Sequence, residues 1–248
     1  MSFRIKLIKP NLLNNDSVSS WFTLRNQESV HPNRAIPGLN LGLNTAEKAS
    51  AVLENRQRLL KEIGLDENQI AYGVQVHKTD IKEVIEGGIY EGTDGFVTTK
   101  SGLALAIQVA DCAAVLLADS ENKVIAAAHA GWRGAVADIV PKTIRKMKAL
   151  GAEPEYIKVY VSPCISLQNF EVGEEVATEF PDRFVDRTNY AKPHVNLKAF
   201  IRQQLIDEGI ESDHIEIDDS CTIEDENYYS YRRQKDNSGR MMGIIKLN

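Results

Sequence analysis

His77, Cys112 and His129 are the residues of this chain whose types combine most readily into chemistry. Each stands in a short, distinctive context: Gln75-Val76-His77, Ala110-Asp111-Cys112, and His129-Ala130-Gly131-Trp132-Arg133-Gly134. Two imidazoles and one thiolate suit a borderline-soft divalent ion, above all zinc, and the same set can hold copper. Three protein ligands leave a fourth tetrahedral position free, the mark of a catalytic rather than a structural zinc. The three residues lie 35 and 17 positions apart. That is too far for a zinc finger, so the ligands must come from separate elements of a folded core.

Each residue also has a structural reading. A lone His in an apolar context is often a packed side chain. Here, however, a strand end runs through a Gly-rich turn into a helix beside Arg133. Backbone N–H groups and a guanidinium around one point suit an anion. For Arg133 the alternative is a buried salt bridge. Cys112 can be a small buried hydrophobe, but Asp111 beside it is a poor core residue and needs a partner or a function. His77 can be an exposed loop imidazole; it ends a strand with Gln75 on the same face. His31, His194 and His214 carry no comparable context and read as surface or loop residues. Cys164 and Cys221 read as packed thiols or as neighbours of the site. The run Tyr228-Tyr229-Ser230-Tyr231-Arg232-Arg233 can stack a base and hold an anion, or simply cover the sheet.

The elements that must position these groups follow from pattern. Residues 3–8 and 19–24 read as strands. The segment 25–46 is irregular, with Pro and Gly throughout, and a loop of that length is often functional. A helix over 47–63 ends at Gly64. Strands are expected over 69–76, 81–85 and 94–98. Residues 103–110 and 113–118 are nearly continuous apolar runs, as in strands buried on both faces. Residues 124–128 form another, with His129 at its end. A helix over 134–150 contains Pro141, where a kink or split is expected. Strand 156–161, a helix near 173–180, a helix over 196–208 capped by Asn196, and strands 214–218 and 240–247 complete the chain. This mixture predicts an α+β or layered α/β protein rather than a Rossmann repeat. No GxGxxG, Walker A or nucleophile-elbow motif is present.

The 248 residues read as one domain, 1–248, with ample length for a hydrophobic core. A formal net charge of −6 argues against a nucleic-acid partner. The N-terminus lacks the apolar core of a signal peptide, and no stretch approaches a membrane span. Three scattered cysteines, an odd number, suggest reduced thiols in a cytoplasmic protein.

The set Gln75-Val76-His77, Gly92-Thr93-Asp94-Gly95, Ala110-Asp111-Cys112, His129 to Gly134, Phe170-Glu171-Val172-Gly173 and Ser230-Tyr231-Arg232-Arg233 resembles the laccase-domain family. That family is also called polyphenol oxidoreductase and zinc-dependent purine nucleoside phosphorylase. The likeness runs from about residue 20 to the end. It implies two packed β-sheets flanked by helices, a four-layer α-β-β-α sandwich, with His77, Cys112 and His129 on the metal. It also implies phosphorolysis of adenosine, inosine and S-methyl-5′-thioadenosine to ribose 1-phosphate and free base, with an adenosine deaminase side activity. The partners would then be purine nucleosides and phosphate. One departure is Arg25-Asn26-Gln27-Glu28-Ser29, where the family usually has Arg-Gly-Gly-x-Ser.

On this reading His77, Cys112, His129, Asp111 and Arg133 are the catalytic candidates. Asn40, Gln75, Arg133, Tyr231 and Arg232 are the candidate substrate contacts. Asp111 and Gln75 would support the metal or handle protons. Three rivals stand beside it. A copper polyphenol oxidase needs further imidazole-rich sites, and five His make that hard. A metal-free cysteine hydrolase acting in cell-wall precursor editing would use Cys112 with His129 or His77 as base. A non-catalytic binding protein would hold a closed, structural zinc.

Overall fold

The architecture is taken from a computed structural model that describes residues 5–27 and 34–248. In chain order the strands are β1 Leu7–Ile8, β2 Val18–Thr23, β3 Ile70–Val74, β4 Ile81–Glu83, β5 Gly88–Glu91, β6 Gly95–Thr98 and β7 Ala104–Val109. They continue as β8 Ala113–Asp119, β9 Val124–Ala130, β10 Ile157–Val161, β11 Val185–Asp186, β12 His194–Val195, β13 Ile215–Ile217 and β14 Met241–Leu247. The helices are α1 Ala49–Ile63, α2 Trp132–Val136, α3 Ile139–Ala149, α4 Glu174–Ala177, α5 Leu197–Asp207 and α6 Tyr231–Gln234.

Twelve strands form two six-stranded mixed sheets, in the orders β1-β2-β14-β7-β3-β5 and β13-β10-β8-β9-β6-β4. Both are antiparallel in the middle and acquire parallel pairs toward an edge. The strands read as apolar throughout because both of their faces are covered. On β7, Leu105, Ile107 and Val109 point between the sheets, and Ala104 and Ala106 point to α1. On β8, Ala114, Leu116 and Ala118 point between the sheets, and Ala113, Val115 and Leu117 point to the helices α3 and α5. Three apolar layers therefore hold four structural layers: α1, the first sheet, the second sheet, and α3 with α5. This is the expected sandwich.

Several boundaries differ from expectation for identifiable reasons. The helix expected over 134–150 is two helices. The break falls at Ala137–Asp138, where Asp138 takes φ 64°. Pro141 then sits in the first turn of α3, where its missing N–H costs nothing. β5 escaped notice because it is an edge strand with an alternating, half-exposed pattern and begins at a Gly with φ 147°. The strand expected over 3–8 is only Leu7–Ile8 among the described residues, Phe3 and Arg4 lying outside them. No helix among the described residues is long and apolar enough to cross a membrane.

The chain changes sheets at a few corners, and these matter most for function. After β3 it leaves the first sheet and enters the second at β4, passing through His77. Between β7 and β8 it crosses again, through Ala110-Asp111-Cys112. The break in the apolar run is therefore a sheet-to-sheet corner.

Close approach of the sheets depends on small residues. A Cβ added at Gly243 of β14 would lie 2.8 Å from the Cβ of Ala114 on β8 and 3.4 Å from Leu116. Gly243→Val should therefore overpack this layer and destabilise the fold by ~1–3 kcal/mol. Urea unfolding should show a lowered midpoint with an unchanged slope; an unchanged midpoint would mean that the sheets are not in contact here.

Candidate metal centre and cleft

The first sheet releases β3 by a side-chain substitution for backbone. Past Val74, the Gln75 amide donates from Nε2 to the carbonyl of Gln108 and accepts the N–H of Gln108 on Oε1, each at 2.8 Å. The side chain thus completes the pairing with β7 while the main chain turns away. It turns around a carboxylate. Asp94, fully buried just before β6, accepts N–H from Val76 and Lys78 on Oδ2 at 3.1 and 2.9 Å, and from His77 on Oδ1 at 2.9 Å. Three successive amides wrapped around one anion fix His77 at φ 59°, the left-handed region that a non-Gly residue rarely adopts.

The same carboxylate sets the second imidazole. His129 Nδ1 lies 2.8 Å from Asp94 Oδ1, and the His129 backbone N–H donates to the Asp94 carbonyl at 2.8 Å. With Nδ1 held toward Asp94, His129 turns Nε2 toward Cys112 and His77, where it can serve as a lone-pair donor once a metal displaces its proton. Its ring meets that of His77 edge-on, with centroids 4.7 Å apart.

Cys112 completes the group at the β7–β8 corner. Asp111 stands there at φ 79°. Its Oδ1 accepts from the Thr222 hydroxyl at 2.7 Å, its Oδ2 from the Arg232 N–H at 2.6 Å, and its carbonyl from the Ile165 N–H at 3.0 Å. Asp111 therefore ties three segments to the corner. Gly131 leaves the room: a Cβ there would sit 2.7 Å from the Cys112 sulfur and 3.4 Å from the His77 ring.

The donor atoms of His77, Cys112 and His129 lie within 4.8 Å of one another. Two imidazole nitrogens and a thiolate at that spacing can hold a metal ion, and the donor types fit zinc. Burial alone would push the Cys112 thiol up. The charge and hydrogen bond of His129, then those of His77, outweigh it and bring the thiol down from 9 to about 6. Burial alone would likewise disfavour protonated His129, but the Cys112 thiolate and Asp94 raise it to about 9. In the metal-free chain the sulfur is thus already a thiolate at neutral pH.

The group opens into a cleft of about 590 Å³. His77 is exposed, Cys112 half-buried and His129 buried, and all three line the cleft. Of the expected substrate contacts, Gln75, Tyr231 and Arg232 line it, as does the catalytic candidate Asp111. Asn40 and Arg133 do not. Asn40 is fully buried behind the wall, accepting N–H from Gly42 and Arg240. The Arg133 guanidinium lies over the Trp132 ring, 4.2 Å from its centroid. Arg232 reaches the Glu171 carbonyl at 3.0 Å, leaving Tyr231 as the exposed aromatic at the rim. Arg233 is structural, donating to the carbonyls of Thr222, Ile223 and Tyr228.

Three participants were missed. Asp94 lay within a quoted motif, but nothing in its type says which amides wrap it. Arg56 and Arg240 line the cleft. Arg56 was legible in principle, since Asn55 and Arg56 interrupt the buried face of α1 set by Val52, Leu59 and Leu60. His194 is a correction: it is buried, bonded through Nδ1 to the Leu167 carbonyl and stacked on Tyr190, not a surface residue. Cys164 and Cys221 are buried, packed thiols, and burial pushes Cys164 up to about 12. His31 and the Glu28-Ser29 end of the departing loop lie outside the described residues.

These electrostatics give a direct expectation. Alkylation of Cys112 by iodoacetamide in metal-free protein, followed on the Cys112 peptide by mass spectrometry, should reach half its maximal rate near pH 6. A half-maximal rate near the ordinary thiol value of about 8.5 would show that the two imidazoles do not act on the sulfur.

Comparison with known proteins agrees with the fold. Residues 19–248 match the family model described as multi-copper polyphenol oxidoreductase laccase. A purine nucleoside phosphorylase of Corynebacterium glutamicum is 39% identical over 215 residues, covering 84% of this chain and 86% of that protein. A purine nucleoside phosphorylase of Deinococcus radiodurans is 38% identical over 213 residues, covering 85% and 82%. The crystal structure of the Bacillus licheniformis hypothetical protein YfiH superposes with a TM-score of 0.86 at 27% identity, covering 93% of each chain. A match of this length makes the chain a member of the multi-copper polyphenol oxidoreductase laccase family.

Proposed function

We propose that this chain is a zinc-dependent purine nucleoside phosphorylase. It would cleave adenosine, inosine and S-methyl-5′-thioadenosine with phosphate to give the ribose 1-phosphate (5-methylthio-substituted in the last case) and free base, and would deaminate adenosine as a side reaction. The observation that carries the reading is the cleft itself: a His-Cys-His donor group shares one cavity with three arginines, Arg56, Arg232 and Arg240, and an exposed tyrosine. Its volume falls in the range that encloses a small organic ligand. The names of the curated relatives support the same reading.

Phosphorolysis places negative charge on the incoming phosphate and on the departing purine, and positive charge on the ribose between them. The chain's task is to hold three bodies in line and to screen those charges. Tyr231 offers a face for the base at the rim. Gln75 spends its amide on β7 and so forms a rigid part of the wall. Asp111 has both carboxylate oxygens occupied, which suits a role in holding the corner rather than in moving protons. Asp94 acts through His77 and His129, fixing one by its backbone and the other by its ring. Zinc, when bound, supplies a Lewis acid to this site and can activate water for the deaminase reaction.

The cysteine-hydrolase alternative has one specific observation in its favour. Asp94, His129 and Cys112 form an acid–imidazole–thiol line, which without metal is the order of a nucleophile, its base and an orienting carboxylate. The copper-oxidase alternative is weaker. Among the described residues, His194 is bonded through Nδ1 to the Leu167 carbonyl, and His214 clusters with Glu211 and Asp213 and with no further His or Cys.

Phosphate dependence separates these readings. Zinc-loaded protein should release base from all three nucleosides only with phosphate present, and Cys112→Ala should lose the metal and the activity together. Chelation should abolish activity and leave far-UV circular dichroism unchanged, because the three apolar layers are built from strand and helix side chains, and of the ligands only Cys112 packs against one of them. Zinc-loaded protein that releases no base in phosphate would remove the phosphorylase reading and advance the hydrolase.

A further inference from the structure

We infer that Arg56 and Arg240, held by the strap Leu39–Gly42, form the phosphate subsite of the cleft, in place of Arg133. The identity of the anion rests on the phosphorolytic reading; the existence of the subsite does not.

The first support is charge without a partner. Arg56 is only 6% exposed, yet among the described residues no carboxylate lies within ion-pair distance of it, and the same holds for Arg240. Buried guanidinium groups are normally paired. Each side chain is instead anchored by part of its fork. Arg56 donates from Nε to the Leu41 carbonyl at 3.0 Å and lies over the Tyr72 ring, 4.4 Å from its centroid. Among the described residues, neither of its terminal nitrogens has a hydrogen-bond acceptor. Arg240 donates from Nη1 to the carbonyls of Ser238 and Gly239, each at 3.0 Å, leaving Nε and Nη2. Both residues line the cleft that holds His77, Cys112 and His129.

The second support is that one short segment builds both. Leu41 accepts from Arg56 through its carbonyl and donates its N–H to the Arg240 carbonyl at 3.1 Å. Asn40 accepts the Arg240 N–H at 2.9 Å, and its own carbonyl accepts from Asn55, the neighbour of Arg56 on α1, at 2.9 Å. At Gly42 a side chain would run into the Arg240 stem. Asn40 is thus a positioning residue, which explains why it is buried behind the wall instead of touching substrate.

The chemistry points to a phosphoryl dianion. Two fixed guanidinium groups offer two positive charges and several N–H donors in planar forks, the pattern that matches phosphate oxygens. In a chain of net charge −6, such a place does not arise from the general field. The dianion can be free phosphate or the phosphoryl group of a nucleotide, and the inference commits to free phosphate.

The test is binding before turnover. Inorganic phosphate is titrated calorimetrically into zinc-loaded wild type, Arg56→Lys, Arg240→Lys and Gly42→Ala, with Arg145→Lys on the far layer as control; zinc content and circular dichroism verify folding. Phosphate affinity should fall about tenfold or more in the first two variants, as for the loss of charge-assisted bonds. It should fall measurably in Gly42→Ala, which disturbs Arg240 from outside the cleft, and not in Arg145→Lys. In turnover, KM for phosphate should rise in step, with KM for nucleoside within about threefold. Unchanged phosphate affinity in Arg56→Lys and Arg240→Lys, or loss of phosphate binding in Arg133→Lys alone, overturns the subsite while leaving phosphorolysis standing. Loss of adenosine monophosphate binding without loss of inorganic phosphate binding also overturns it. Phosphate binding that depends on both arginines in a protein without phosphorolysis supports the subsite and overturns the reaction instead.

Discussion

A buried anion organises the functional end of this molecule. Asp94 is fully buried and accepts four hydrogen bonds: three from consecutive amides, Val76, His77 and Lys78, and one from the His129 ring. An ionised carboxylate in the interior is tolerated only when it is satisfied in this way. The donors it demands belong to both imidazole-bearing segments. The carboxylate therefore cannot be stabilised without bringing His77 and His129 together, and its own proton affinity is lowered, against the opposing effect of burial, by the His129 bond and then by the amides of Lys78 and Val76. Folding energy and site geometry are here the same interaction.

The sandwich supplies the rest. A chain that changes sheets must turn sharply where neither sheet can satisfy its amides, and such corners carry backbone strain. His77 and Asp111 both take positive φ at corners of this kind. Each is held by a buried network, Asp94 for one, and Thr222, Ile165 and the start of α6 for the other. Strain of this sort persists where surrounding structure over-determines it, and it clusters at functional sites. The Asp111 network also ties the Cys112 corner to Tyr231 and Arg232 at the rim. The Leu39–Gly42 strap does the same for the two arginines. The wall of the cleft is in this sense knitted from loops that span otherwise separate layers.

How much of this was legible follows from what sequence encodes locally. β7, β8 and β9 were readable because both faces of each strand are covered, so their apolar runs carry no ambiguity. β5 was not, because an edge strand with one bare face looks like a loop. The His77, Cys112 and His129 group was readable because thiols and imidazoles are scarce and chemically distinctive. The supporting residues were harder. Asp94 has a common type, and its role depends on amides sixteen to eighteen positions earlier. Arg133 drew attention through its neighbours, yet its side chain turns to Trp132. Arg56 sat in an amphipathic helix, where a charge on the buried face is the only local sign of function. Asn40 was expected to contact substrate, but it is buried behind the cleft wall, where it accepts N–H from Gly42 and Arg240.

The proposed function requires an open metal centre, made of two imidazoles and one thiolate, at the mouth of this cleft. X-ray absorption at the zinc edge of the loaded protein tests it most directly. One sulfur and two imidazole nitrogens are expected around the zinc, with a fourth, light scatterer that exchanges when nucleoside and phosphate are added. A shell of four protein ligands that ignores both additions, or a shell without sulfur, would contradict it.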